Sequence, residues 1–303
     1  MLGAFGTRIG VAWLVFLAMI FASDVGSGAD APGKETTTPA KVAADAGEPT
    51  GKKPGAEKSP YFNLQGSIAA ERARLRALPG RNGLLKEESR YSVFDEEVII
   101  RDFFQDRRGG VFVDVGCAWP IRANNTYYLE HHLGWTGVGI DALEEYAAQW
   151  QEKRPGAQFL NYLVTDQSSD AAEFYRSQNL GLSSASKKRA DGRHFGGSLE
   201  VEKIEVPAAT LNEILEEAGI TRIDLLSMDI EGHEIAALRG LDLKRFQPEL
   251  IVSEGIRPEV EALLASNGYE RIERYVPFDR TNRYYRRRSV DSPSTVAPPD
   301  AGS

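Results

Sequence analysis

The chain has 303 residues and 42% hydrophobic content, enough to build the core of one large domain or two small ones. A formal net charge of −8 and a pI near 5.3 argue against a general polyanion binder, which needs surplus Lys and Arg to displace counterions, so no nucleic-acid partner is expected. Cys117 is the single cysteine, which excludes an intramolecular disulfide and a cysteine-based zinc site.

In chain order, the first feature is "IGVAWLVFLAMIFA", Ile9 to Ala22, uninterrupted by charge and preceded by Arg8. This is the layout of a signal peptide or a membrane anchor over residues 1–23. The run is shorter than the ~20 residues that a transmembrane helix needs, yet "SDVGSGADA" offers no clean cleavage site, so both readings stand. Arg8 weakly favours an exported domain, although lysines farther along blur that rule and leave the side of the membrane open. Residues 24–59 are Ala, Gly, Pro, Thr, Lys and acid, and cannot bury enough surface to offset chain entropy. They are expected to form a disordered tether, and 289–303, of similar composition, a disordered tail. Residues 60–288 remain as the folded domain.

Within it, "SVFDEEVIIRDFF" predicts a helix capped by Ser92, and "GVFVDVG" a short buried strand. A helix over Thr126–Leu133, the strand "TGVGID", the helix "LEEYAAQWQEK" and the strand "QFLNYLVTD" complete βαβαβ. After a polar, Ser-rich interval from Gln167 to about Ser198, alternation resumes with "TLNEILEEAG", "IDLLSMD", "HEIAALRGL", "ELIVSE" and "PEVEALLASNG". Apolar strands separated by amphipathic helices predict a doubly wound α/β fold, a mostly parallel sheet covered on both faces. "YERIERYVPF" and "NRYYRRR" predict an antiparallel strand pair at its edge. The basic clusters "KKRADGRH" and "RYYRRR" read as solvated surface.

Ligands of such sheets sit beyond the carboxyl ends of the strands. Four acids fall there: Asp114 in the first strand and its loop, Asp141 ending the second, Asp166 ending the third and Asp229 ending the fourth. One acid so placed is ordinary capping chemistry; four in succession point to a ligand. An acid ending the second strand suits ribose hydroxyls, which assigns Asp141 that role, and Gly116 lets the backbone approach. The first loop, "DVGCAWPIRANN", lacks the further glycines of a pyrophosphate cradle, so a nucleoside ligand without phosphates fits better.

"VFVDVGCAWPIRANNTYYLEHHLGWTGVGIDA" and "IDLLSMDIEGHEIAALRGLDLKRFQPELIVSE" resemble the FkbM family of S-adenosylmethionine-dependent methyltransferases, over about Val111 to Arg287. The likeness lies in the D-V-G turn, the N-T-Y-x-L-E helix followed by G-W-x-G, and the D-x-E-G-x-E segment followed by an x-P-x-x-I-x-x-E strand. The resemblance implies a seven-stranded sheet that binds S-adenosylmethionine, with Asp114 and Gly116 on the methionine side, Asp141 at the ribose and Asp166 at the adenine edge. It also implies that Asn125 and Thr126 shape the helix entry beside the donor, and that the acceptor is a hydroxyl of a sugar, glycan or secondary metabolite. Cys117, Ala118 and Trp119 depart from the small residues common in such donor loops and are expected to reshape the methionine pocket. The sequon at Asn124 is taken as a chance match.

Methyl transfer is an in-line displacement, so the protein mainly positions donor and acceptor, and an alcohol must also lose its proton. His233 is the expected general base by its intrinsic pKa, with Asp229 holding the donor or orienting the acceptor hydroxyl, Glu231 orienting the loop or the acceptor, and Glu254 a further candidate. Asp229, Glu231 and His233 do not match a recognised metal spacing, and no metal is expected. A rival reading is a catalytically silent, membrane-tethered binding or trafficking module on the same methyltransferase-like fold.

Overall fold

The computed structural model describes residues 91–193 and 198–288. The hydrophobic segment, the tether and the tail all lie outside the described residues, among which no helix is long and apolar enough to cross a membrane.

The main sheet has seven strands in the order β3-β2-β1-β7-β8-β10-β9. Its parallel part comprises β1 (Val111–Val115), β2 (Thr136–Asp141), β3 (Ala157–Asn161), β7 (Leu225–Met228) and β8 (Leu250–Glu254). At the far edge β10 (Asn282–Arg287) runs antiparallel to both β8 and β9 (Tyr269–Arg271), the edge pairing that the sequence predicts. Side chains on successive strand residues point to opposite faces. Phe112, Leu225 and Leu250 accordingly pack into one layer, with Ile99, Ile100, Tyr128 and Leu133. Val113, Leu226 and Ile251 pack into the other, with Leu211, Ile214, Leu238 and Leu264.

The covering helices follow the expected alternation: α1 (Glu96–Phe104), α2 (Tyr127–Leu133), α3 (Ala147–Lys153), then α4 (Lys187–Ala190), α5 (Leu211–Glu217), α6 (Glu234–Arg239), α7 (Leu243–Phe246) and α8 (Pro258–Ser266). Helix α5 opens on a capping box, with the Glu213 N–H donating to Thr210 Oγ1 at 3.3 Å and the Thr210 N–H donating to Glu213 Oε2 at 3.0 Å. Helix α1 starts later than expected. Ser92 Oγ does accept the Glu97 N–H at 3.1 Å, but from a turn ahead of the helix, whose N-cap position is Asp95.

Two expectations need correction. "QFLNYLVTD" is not one strand: β3 stops at Asn161, whose side-chain amide donates to the Asp141 carbonyl at 3.0 Å, and the chain then crosses to a second sheet as β4 (Leu163–Val164). Asp166 therefore does not end the third strand of the main sheet. The Ser-rich interval is not irregular either. It holds β5 (Ser169–Ser177), which pairs antiparallel with β6 (Val201–Ala209), while β4 runs parallel to β6 on its other side. The inward residues Phe174, Val206 and Ala208 of this three-stranded sheet pack with Tyr146 and Trp150, and the outer face is polar. Nor is "RYYRRR" all surface: Arg283, Tyr284 and Tyr285 are buried, and only the arginines that follow are exposed.

Candidate functional site

Strands β1 and β7 are neighbours, and their ends form the floor of the site. The Asp229 N–H donates to the Val115 carbonyl at 3.0 Å, carrying the pairing one residue past β7. Gly116 follows with φ +76°, and a Cβ there would meet the Asp229 carbonyl oxygen at 1.9 Å. Only glycine lets these two strand ends close on each other. Above them opens a cleft of about 60 Å³ whose lining includes Gly116, Asp141, Phe174, Asp229 and Glu231, so the second sheet supplies one wall.

Asp141, at the end of β2, lines the same cleft. Its Oδ1 accepts the Leu143 N–H at 2.9 Å and its Oδ2 accepts the Ala118 N–H at 3.0 Å. Each oxygen keeps acceptor capacity for a ligand hydroxyl. Burial pushes the carboxyl up to about 6, against the pull of those two amides. Of the departing residues of the loop, Ala118 lines the cleft while the other two do not: Cys117 is buried, and the Trp119 ring stands edge-on to Tyr146 with centroids 5.4 Å apart. Trp150 is buried, and its indole N–H donates to the Ala118 carbonyl at 2.7 Å. Trp135 is likewise core.

Asp114 lies behind the cleft. It is buried, and accepts hydrogen bonds from Thr126 Oγ1 at 2.8 Å and Asn124 Nδ2 at 3.2 Å. Burial raises its carboxyl to about 6, with Thr126 and then Arg154 opposing. Arg154, fully buried, donates to Thr126 Oγ1 and Asn124 Oδ1, each at 3.1 Å, and pairs with Glu130. Asn124 Oδ1 in turn accepts the N–H groups of Thr126 and Tyr127 at the start of α2, at 3.0 and 2.8 Å. Asn124, buried in this knot, is closed to glycosylation. Neither Asn124 nor Arg154 stands out in the sequence as part of a site. Asn125 points toward β7, donating to Ser227 Oγ at 3.2 Å.

The acidic turn between β7 and α6 gathers a different trio from the one the sequence suggests. Oxygens of Asp229, Glu231 and Glu254 lie within 4.8 Å of one another. Glu231 has φ +50°, a left-handed conformation that directs its carboxyl to the other two, and Ser184 Oγ donates to its carbonyl at 3.3 Å. All three carboxyls are pushed up: Glu231 well above the usual range, first by burial and then by Glu254, Glu254 by burial and then Glu234, and Asp229, exposed at the cleft, in the same direction. Carboxyls packed this closely repel one another when ionised, and each favours the protonated form of its neighbours. Glu234 is fully buried, pairs with Arg257 at 2.6 Å, and accepts the Gly232 N–H at 3.1 Å. Arg189, from a cluster read as surface, returns to the turn: a Cβ on Gly232 would lie 3.3 Å from its Nε.

His233 and Asp166 stand outside this group. The His233 ring lies 3.4 Å from Thr165 Oγ1, and burial holds the imidazole below its usual range. Asp166 is exposed, and neither residue is among those lining the cleft.

This sheet order, with an open cleft over the ends of β1 and β7, defines a Rossmann-like, doubly wound α/β protein. The methyltransferase FkbM domain family matches residues 114–276, more than half of the chain, and the chain belongs to that family. Methyltransferase sdnD of Sordaria araneosa is 36% identical over 98 residues, which are 28% of this chain and 36% of that protein. The chain thus spans little more than a third of the length of that curated relative. Among solved structures, a TehB-like SAM-dependent methyltransferase from Corynebacterium glutamicum aligns at TM-score 0.37 and 13% identity, over 75% of this chain and 100% of that one. MtNAS in complex with MTA and tNA aligns at TM-score 0.32 and 12% identity, over 76% and 73% of the two chains.

Proposed function

We propose that the protein is an S-adenosylmethionine-dependent O-methyltransferase acting on a hydroxyl of a sugar, glycan or secondary metabolite. The observation that carries this reading is Asp141, a carboxylate fixed by two backbone amides with acceptor capacity directed to the cleft, opposite the acids of the β7 turn. When bound, S-adenosylmethionine supplies an electrophilic methyl on a sulfonium. The residues present suit that ligand: Asp141 accepts ribose hydroxyls, Gly116 lets the backbone come close, and no glycine-rich cradle demands a phosphate. Asp114 acts from behind, holding the first turn and the start of α2 in place.

Asp229 and Glu231 orient the acceptor hydroxyl, and one of the three carboxylates takes its proton as the new C–O bond forms. Their raised pKa values bring these carboxylates closer to neutrality, where a base of ordinary carboxylate strength would be weak. His233, turned to Thr165, supports the turn in this reading rather than serving as the base. The hydrophobic N-terminal run supports attachment to, or export across, a membrane.

Calorimetry of the full chain with S-adenosylmethionine tests the proposal. Saturable binding is expected, and the absence of heat at millimolar donor would sink it. Incubation of labelled donor with fractionated extracts then identifies the acceptor.

A further inference from the structure

We infer that Asp229, Glu231 and Glu254 form a binding site for one hard divalent cation of the magnesium, manganese or calcium class. Oxygens from all three lie within 4.8 Å of one another, the spacing of ligands around a single ion. Opposite oxygens on such an ion stand about 4 Å apart for magnesium and about 5 Å for calcium. All the donors are carboxylate oxygens, the ligands that hard cations prefer.

The cluster of acids is not the only observation. Glu231 is 6% exposed, and its Oε2, although buried, has no hydrogen-bond partner. Glu254 Oε2 is in the same condition on the opposite side. A buried carboxylate oxygen without a donor costs several kcal/mol unless a positive charge or a proton meets it. The surrounding groups do not supply enough positive charge. Glu234 and, behind the trio, Glu96 add negative charge, while the facing cations are Arg189 and Arg257, and Arg257 is committed to Glu234. At most one guanidinium is left for three carboxyls. Protons are the competing solution, since carboxylates this close can also be relieved by protonation.

Asp229 and Glu231 border the open cleft, so an ion here keeps coordination positions for water or for a ligand oxygen. Held by such an ion, an acceptor hydroxyl gives up its proton more readily; this last step alone rests on the methyl-transfer reading.

The test uses the full chain without donor or acceptor. Mg2+, Mn2+ and Ca2+ are titrated by calorimetry and thermal shift at pH 8, and Mn2+ binding is counted from the loss of the free-ion paramagnetic resonance signal. One ion per chain is expected, bound more tightly at pH 8 than at pH 6, because protons compete for the same oxygens. Glu231→Gln and Glu254→Gln are each expected to weaken it at least 10-fold. Both remove a buried charge while keeping shape, so their melting temperatures without metal are expected to equal or exceed that of the parent. No binding of any of the three ions at millimolar concentration would overturn the inference, as would binding that both variants leave unchanged. Donor calorimetry in the same buffers separates the two proposals: donor binding without cation binding removes the ion and leaves the methyltransferase reading intact.

Discussion

Glu231 and His233 lie two positions apart in the sequence and face different surroundings. The positive φ of Glu231 turns its carboxyl to Asp229 and Glu254, whereas His233, at the N-cap position of α6, lies against Thr165. His233→Ala is expected to bind donor normally and to keep turnover within a few-fold of the parent. Glu231→Gln is expected to keep donor affinity and lose on the order of 10²-fold in turnover, the usual share of a general base. Steady-state rates with donor affinity measured in parallel check both, and a collapse of turnover in His233→Ala would return the imidazole to the role of base. Pattern alone does not separate these two residues. That an acid lies at the end of β7 is legible; which way the following residues point depends on one backbone torsion that composition does not report.

Helices α2 and α3 meet through Arg154. The sequence places it in "EKRPG", where a basic residue at a helix C-terminus normally reaches solvent, yet the chain folds it inward to Glu130, Asn124 and Thr126. Arg154→Met keeps much of the volume and leaves Glu130 and Asp114 without a compensating charge. Breaking a buried ion pair from one side costs about 3–5 kcal/mol, and urea unfolding is expected to show a loss of that order. Elements with strong periodicity, such as β1, β2, β7 and α5, are readable because each has one face or both committed to a core. The β5–β6 pair escapes for the opposite reason. Much of its surface is solvated and charged, so "SDAAEFYRS" and "VEKIEVPAA" resemble loop composition, and β4, with only Leu163 and Val164, is too short to carry a period.

Across the whole molecule, several buried carboxyls hold protons more tightly than in an unfolded chain. Burial raises Glu96 to about 7, and Asp114 and Asp141 to about 6, from ~4 when unfolded. The native state therefore binds more protons between about pH 4 and pH 7, and stability falls as pH rises through that window. His132 and His233, held low by burial, act in the opposite sense as pH drops below ~6.5. Two partly buried imidazoles face a larger set of more deeply buried carboxyls, so the net effect is a higher melting temperature at pH 5.5 than at pH 7.5. Thermal scans in chelator check this, and a melting temperature that rises with pH would contradict the protonation assigned to these groups.

The place of β10 bears on biosynthesis. Among the described residues it is the last strand in chain order, yet it sits inside the sheet, between β8 and β9, and it carries the buried Tyr284 and Tyr285. A ribosome delivers the other strands of this sheet first. Until residue 287 has emerged, the hydrogen-bonding edge of β8 stays uncovered and β9 has no neighbour to pair with. The nascent domain thus passes through a stage with an open, apolar sheet edge, a known hazard for self-association. A chain stopped before Asn282 is expected to accumulate in the insoluble fraction rather than as a smaller folded protein, and fractionation after expression of both lengths shows which occurs.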